Sequence, residues 1–163
     1  MAGFTAKQVV ALTGVPYKRL DSWATSGFLI PSIAEADGTG SRRLYSFQDL
    51  ITLRTAKILR DAGLSLQGLR NVVQLLRDTH GMAQPLVHTR LVMVGDEVLI
   101  VQTEGDLMRV LRTPGRHVLR VIVDVGRLVQ ALCEEVDKLG LHSPALIDPP
   151  LRKNTMRDPY CSL

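Results

Sequence analysis

The sequence predicts an α+β protein with a mainly helical N-terminal part and a small C-terminal part of ββαβα order. In the first 80 residues, apolar side chains recur at spacings of three and four between glycines, as in amphipathic helices. Beyond residue 90, apolar runs rich in β-branched residues surround turn residues, which is typical of strands. We therefore predict a domain over 1–80, a linker over 81–90, a second domain over 91–140 and an irregular tail over 141–163.

The composition is that of a folded protein. Apolar residues make up 45% of the chain and charged residues 22%, which is ordinary for a globular domain. No apolar run approaches the roughly 20 residues that a bilayer-spanning helix needs. The start, MAGFTAKQ, lacks the apolar core of a signal peptide. We therefore expect a cytoplasmic protein.

Positive charge is concentrated in the first half of the chain. Residues 1–80 hold ten Lys and Arg against six Asp and Glu, whereas residues 81–163 hold ten of each. The net charge of +4 therefore arises entirely in the first half. A basic part beside a neutral part suggests a polyanion-binding module joined to a different one.

Two short helices joined by a glycine turn are predicted at the start of the chain. Thr5 is a plausible N-cap for a helix over AKQVVALT. Gly14 can adopt the positive φ that closes a tight turn, and Pro16 suits the first turn of the next helix. Gly27 ends that second helix.

The second helix is amphipathic, since the spacing of Leu20, Trp23 and Ala24 places them on one face. The side chains that this arrangement turns outward are Tyr17, Lys18, Arg19, Ser22 and Ser26. A helix pair whose second member exposes aromatic and basic residues is a helix-turn-helix pattern.

A β-wing is predicted to follow. Residues 28–30 and 43–45 are short stretches that we expect to pair as strands, with residues 37–40 as the flexible tip. Arg42 and Arg43 then lie on the returning strand, close enough to reach phosphates or a minor groove. An Arg-Arg pair alone is more often a solvated loop, but its place after a helix-turn-helix favours the wing.

Two further helices are predicted after the wing. Ser46 and Asp49 have the spacing of a capping box, and the helix that they begin runs to about Ala62, with Gly63 as its stop. Ser65 begins a fourth helix, whose apolar residues keep the three-four spacing.

Four pieces of this region carry a family resemblance: FTAKQVVALTGV, WATSGFLIP, RRLYSFQDL and LRDAGLSL. In this order and at this spacing they resemble the DNA-binding domain of the MerR family of bacterial transcription regulators, over residues 4–76. The resemblance implies a winged helix-turn-helix that binds double-stranded DNA as a homodimer at an inverted-repeat operator. It also implies a cytoplasmic, nucleoid-associated protein.

The resemblance also implies roles for individual residues. Tyr17, Lys18 and Arg19 would enter the major groove, Arg43 and Tyr45 would contact the DNA backbone from the wing, and Arg60 would add a phosphate contact. Arg42 joins this set because of its position on the wing.

One departure from the family pattern concerns the recognition helix. Where the family usually has an arginine followed by two aromatic residues, this chain has Asp21-Ser22-Trp23. Trp23 retains the second aromatic residue, but Asp21 places an anion where a phosphate would be expected. Either Arg19 takes over the phosphate contact, or the protein docks in a modified way.

The C-terminal part predicts a hairpin, a short helix, a strand and a final helix. Residues 91–102 contain two apolar runs around the turn Gly95-Asp96-Glu97. A short helix is expected over 106–111, and a third strand over 117–125. Asp124 caps the last helix, which runs to about Leu139.

No enzyme chemistry, metal site or cofactor is predicted. His88, His117 and His142 lack ligand spacing, and Cys133 and Cys161 are too far apart to chelate together. The GTGS segment neither follows a buried strand nor has the Lys-Ser/Thr of a P-loop.

Two functions remain open for the C-terminal part, oligomerisation and the sensing of a small-molecule effector. The low aromatic content of 4% favours oligomerisation, because ligand pockets are commonly lined by aromatic side chains. For the whole chain, a dimeric transcription regulator is the leading hypothesis. The alternative is an antitoxin-like or adaptor protein whose C-terminal domain binds a partner protein, with DNA binding for autoregulation.

Overall fold

The computed structural model describes residues 3–34, 42–79, 90–94, 97–101, 103–105 and 119–141. The helices are α1 (Ala6–Thr13), α2 (Tyr17–Thr25), α3 (Phe47–Asp61), α4 (Leu66–Thr79) and α5 (Val125–Lys138). The strands are β1 (Phe4–Thr5), β2 (Leu44–Tyr45), β3 (Arg90–Val94), β4 (Glu97–Val101) and β5 (Leu119–Asp124). The predicted α+β class is confirmed.

The first helix begins and ends where its capping residues predict. The backbone N–H of Thr5 donates to the Gln8 side chain at 2.8 Å at the start of α1. Gly14 has a φ of 70°, and its N–H donates to the Val10 carbonyl at 3.0 Å. A left-handed residue at this position turns the chain sharply, so that α2 can pack against α1.

The strand that returns from the wing pairs with the N-terminus of the chain. β2 is antiparallel to β1, with Phe4 opposite Tyr45. On the outgoing side, Ala34 forms a bridge to Leu44, whose backbone N–H donates to the Ala34 carbonyl at 2.9 Å. The base of the wing is thus built from three segments that are distant in sequence.

The predicted pairing of residues 28–30 with residues 43–45 is wrong. The N–H groups of Phe28 and Leu29 both donate to the Trp23 carbonyl, at 3.0 and 3.1 Å, and close the end of α2. Leu29 is buried with the core. Because these backbone groups are used in the helix cap, the segment cannot extend as a strand. The predicted tip, residues 37–40, lies outside the described residues.

The third and fourth helices follow the prediction closely. The Asp49 N–H donates to the Ser46 hydroxyl at 3.1 Å, and the Ser46 N–H donates to the Asp49 carboxylate at 2.8 Å, which completes the capping box. Gly63 has a φ of 99° at the junction with α4. The Gly68 N–H donates to the Ser65 hydroxyl at 3.1 Å, so Ser65 caps α4.

The C-terminal sheet is antiparallel, with the strand order β4-β3-β5. The predicted hairpin and third strand are therefore found, and the Asp124 carboxylate accepts the Arg127 N–H at 3.1 Å at the start of α5. The short helix predicted over 106–111 lies outside the described residues, as do the linker before Arg90 and the tail after Leu141.

Buried side chains from both parts of the chain form one hydrophobic cluster. The helix α5 packs against α1 and α3, and the sheet against α3, α4 and α5. The cluster includes Leu12, Leu20, Trp23, Leu50, Leu53, Leu59 and Leu69 from the N-terminal helices, and Leu91, Met93, Val123, Leu128, Leu132 and Val136 from the C-terminal part. The apolar stripe of α5 is thus buried within its own chain.

Candidate nucleic-acid interface

The first turn of α2 presents an aromatic and a basic side chain to solvent. Tyr17 is 60% exposed, and Lys18 is exposed beside it. The turn begins after Pro16, which holds an extended φ of −58° and ψ of 141° and caps the helix. The unpaired backbone N–H groups of a first turn favour anions, so this turn adds a positive backbone potential to the charge of Lys18.

Arg19 is only partly available at this surface. Its guanidinium lies 3.5 Å from the Asp61 carboxylate at the end of α3 and 6.0 Å from the centre of the Trp23 ring. Lys57 donates to the same carboxylate at 2.6 Å, and this hydrogen bond, aided by the charge of Arg19, holds the pKa of Asp61 below its usual value. Arg19 is thus oriented by α3, with 40% of its side chain exposed.

The base of the wing carries two arginines, Arg42 and Arg43, and their surroundings differ. Arg42 is exposed. Arg43 has only 21% of its side chain exposed, and its Nη1 lies 2.5 Å from Oδ1 of Asp21 in α2. This hydrogen bond is the main cause that raises the pKa of Arg43 above its ordinary value. Arg42 is thus placed to meet a ligand, whereas Arg43 is engaged within the protein.

Tyr45 does not lie at the surface expected of a backbone contact. The side chain is 1% exposed in the core, and its hydroxyl is buried without a hydrogen-bond partner in the described part of the chain. Burial raises the pKa of this hydroxyl, an effect that the nearby charge of Arg43 partly offsets. Tyr45 and its partner Phe4 both face inward from the β1–β2 pair, so Tyr45 acts here as a packing residue.

Arg60 lies at the junction of α3 and α4 and is exposed. One of its guanidinium nitrogens donates to the Leu64 carbonyl at 2.8 Å. An arginine has five N–H donors, so this bond fixes the side chain without using its full capacity. Arg60 can therefore stabilise the junction and also meet an anion.

The geometry of residues 4–76 agrees with a sequence match over the same range, to the family described as MerR HTH family regulatory protein. Residues 4–76, here called the MerR-type domain, are thus similar to the helix-turn-helix domain of that family. Over 77 residues the chain is 40% identical to uncharacterized HTH-type transcriptional regulators of Mycobacterium bovis and of two strains of Mycobacterium tuberculosis, CDC 1551 and H37Rv. The match covers 47% of this chain and 34% of each relative, so the chain matches these regulators over about a third of their length.

A polar cluster inside the MerR-type domain was not predicted in full. The Asp49 carboxylate accepts hydrogen bonds from the Ser32 N–H at 2.9 Å and the Ser32 hydroxyl at 2.7 Å, besides its capping bond to Ser46. Asp49 is only 8% exposed, and it joins the segment after α2 to the start of α3. The capping spacing identified Ser46 and Asp49, but no local pattern pointed to Ser32.

Asp21, the residue that departs from the usual MerR pattern, has an ion-pair partner in the structure. Asp21 lies one helical turn after Tyr17 and Lys18, on the same side of α2. Its carboxylate faces Arg43 of the wing. The negative charge that Asp21 places on α2 is therefore neutralised within the MerR-type domain itself.

A different ion pair, between Arg54 and Glu135, joins the MerR-type domain to the C-terminal part. The guanidinium of Arg54 in α3 contacts both carboxylate oxygens of Glu135 in α5, at 3.0 and 3.1 Å. The same Nη1 also donates to the Leu12 carbonyl at 3.3 Å, near the end of α1. Neither arginine nor glutamate stood out in the sequence, because they are 81 positions apart.

Two other kinds of site are absent from the described part of the chain. Among the described residues, no group of three or more His, Cys, Asp or Glu side chains is arranged to hold a metal ion. In those same residues, no helix is both long and apolar enough to cross a bilayer.

Proposed function

We propose that this protein is a sequence-specific transcription regulator that binds an inverted-repeat operator as a homodimer in the cytoplasm. The observation that carries the proposal is the placement of the wing base beside the recognition helix. The contact between Asp21 and Arg43 joins the two elements, and each carries an exposed cation, Lys18 on α2 and Arg42 on the wing. Exposed cations on two elements that contact each other suit a DNA groove and its adjacent phosphates.

Roles can be proposed for each exposed residue. Tyr17 and Lys18, at the N-terminal turn of α2, would contact base edges in the major groove. Arg42 and Arg60 would contact phosphates, and Arg19, oriented by Asp61, would contact either. The whole excess of positive charge, which lies in residues 1–80, would attract the duplex and supply affinity.

The burial of the apolar stripe of α5 bears on the alternative function. An antitoxin-like or adaptor protein would offer an apolar face of its C-terminal part to a partner protein. Here Leu128, Leu132 and Val136 are instead covered by the protein's own helices. This arrangement favours a regulator whose C-terminal part supports the DNA-binding domain.

The test begins with the selection of DNA sequences from a random duplex pool by the purified full chain. We expect enrichment of an inverted repeat, because a two-fold dimer presents the same recognition helix to each half-site. Binding of the selected duplex is then measured by fluorescence anisotropy over a range of salt concentrations. Dimer formation is checked by light scattering coupled to size-exclusion chromatography.

Substitutions separate the proposed contacts from general charge effects. Arg42→Ala should weaken binding to all duplexes and reduce the salt slope by about one. Lys18→Ala should also relax the preference for one sequence. Lys138→Ala removes the same charge from the exposed end of α5 and should leave both unchanged. Enrichment of no sequence, or equal losses in all three variants, would contradict the proposed function.

A further inference from the structure

The pair formed by Asp21 and Arg43 connects the middle of α2, the proposed recognition helix, to the base of the wing. Arg43 is mostly buried, with 21% of its side chain exposed, whereas Asp21 is half exposed. The Thr25 hydroxyl donates to the Asp21 carbonyl at 2.8 Å, within the same helix. The carboxylate of Asp21 thus projects from a regular helical turn towards a guanidinium that is 22 positions away in sequence.

Arg43 lies next to the residue that anchors the base of the wing. The next residue, Leu44, is tied to Ala34 by hydrogen bonds of 2.9 and 3.1 Å in the two directions, and it lies opposite Thr5 in β1. The preceding residue, Arg42, is exposed. Holding the Arg43 side chain against α2 therefore fixes where Arg42 stands relative to the recognition helix.

A phosphate contact by Arg43 would have an electrostatic cost. If Arg43 moved away from Asp21, the Asp21 carboxylate would be left uncompensated. It lies one turn from Lys18 and would then repel the phosphates of the duplex. The hydrogen bond to Asp21 would also be lost. Since Arg42 is the neighbouring, exposed arginine, the wing can reach phosphates without breaking the pair.

We infer that Asp21 is a positioning residue for DNA recognition, which holds Arg43 and thereby sets the wing relative to the recognition helix. This inference rests on the proposed function. Arg43 then acts by neutralising Asp21 and fixing the wing root, and Arg42 makes the phosphate contact. The pair contributes to the discrimination between operator and other DNA rather than to affinity for DNA in general.

The test uses the selected operator and a random duplex of the same length, with the full chain. Asp21→Asn keeps the shape of the side chain and removes its charge. We expect about a tenfold loss in the ratio of operator to random-duplex affinity, within the range of coupling between contacting residues. Binding to random DNA should be unchanged or tighter, because an acidic group has been removed.

A charge exchange distinguishes positioning from direct contact. Arg43→Ala alone should weaken operator binding without changing the salt slope, whereas Arg42→Ala should reduce that slope by about one. The double variant Asp21→Arg/Arg43→Asp recreates the pair in reverse and should recover most of the lost operator preference. Fluorescence of Trp23, the single tryptophan, confirms that each variant is folded.

Three results would overturn the inference. The first is an Asp21→Asn protein with the wild-type affinity ratio. The second is an Arg43→Ala protein whose salt slope falls as far as that of Arg42→Ala, combined with a charge-exchanged variant that does not recover operator preference. That result would make Arg43 a phosphate contact. The third is a wild-type chain that prefers no sequence, which would remove the proposed function itself.

Discussion

Arg54 and Glu135 join the MerR-type domain to the last helix of the described chain through a two-point ion pair, at 3.0 and 3.1 Å. Arg54 also donates to the Leu12 carbonyl, so the same side chain contacts the end of α1, the helix before α2. The side chains are 26% and 39% exposed, which means that solvent screens part of the attraction. The bidentate geometry nevertheless fixes the orientation of the two helices.

The first prediction concerns this pair. Arg54→Ala and Glu135→Ala should each lower the free energy of unfolding, and the double variant should lose less than the sum, with a coupling of about 1 kcal/mol. Urea unfolding of the four proteins measures the cycle. Additive losses would show that the pair does not contribute to stability.

The second prediction tests whether the two parts of the chain share one core. Leu132→Ala in α5, where the side chain is 0% exposed, should cost about 2–5 kcal/mol. Trp23 in α2 should report this loss, because both side chains belong to the same buried cluster. As a control, Leu139→Ala removes a leucine that is 53% exposed. A Trp23 transition that is unchanged by Leu132→Ala would mean that α5 unfolds separately.

The third prediction concerns the hydroxyl of Tyr45. Removing a buried polar group that has no partner among the described residues relieves its desolvation cost. Tyr45→Phe should therefore unfold at an equal or higher urea concentration than the wild type. Because the hydroxyl is buried, operator affinity should also stay within about twofold. A marked loss of affinity with a reduced salt slope would instead restore the backbone contact that the family resemblance implies.

The fourth prediction is a pH dependence. The pKa of Asp61 is lowered in the folded protein, chiefly by the hydrogen bond from Lys57. A lowered pKa in the folded state contributes stability above the pKa of the unfolded chain, and this is lost as the pH falls through the folded value. Asp61→Asn should therefore be less stable than the wild type near neutral pH, and the difference should vanish in acid.

Urea unfolding at a series of pH values from about 7 to about 3 measures this effect. Asp137→Asn, at an exposed position on α5, is the matched control for the loss of one carboxylate. A difference between wild type and Asp61→Asn that stays constant with pH would exclude the linkage. The effect should be small, because the carboxylate is 50% exposed.

Much of the local structure could be predicted from the sequence. Thr5, Ser46 and Asp124 begin helices as their types and spacing predict, and Gly14 provides the left-handed residue of the turn. These features depend on residues within one or two turns of each other, so they are visible in a short window. The exposed residues Tyr17 and Lys18 followed from the same periodicity.

The parts that prediction missed depend on residues far apart in the chain. The partner of β2 proved to be β1 rather than residues 28–30, and strand pairing leaves little trace in the local sequence when no hairpin turn specifies it. Ser32 joined the Asp49 cluster from 17 positions away. Tyr45 was expected at the DNA surface, but pairing with Phe4 turns its side chain into the core.

The sequence alone determined the fold class, the order of the described helices and the place of the basic charge. Apolar periodicity and helix caps depend on residues that are close in sequence, and net charge is a simple total over a stretch of chain. The tertiary structure decided which charges are exposed and which are paired. Asp21 meets Arg43, and Arg54 meets Glu135, only when α2, the wing, α3 and α5 pack together. An ion pair needs two groups within about 4 Å, and that proximity is a property of packing rather than of any single stretch of chain.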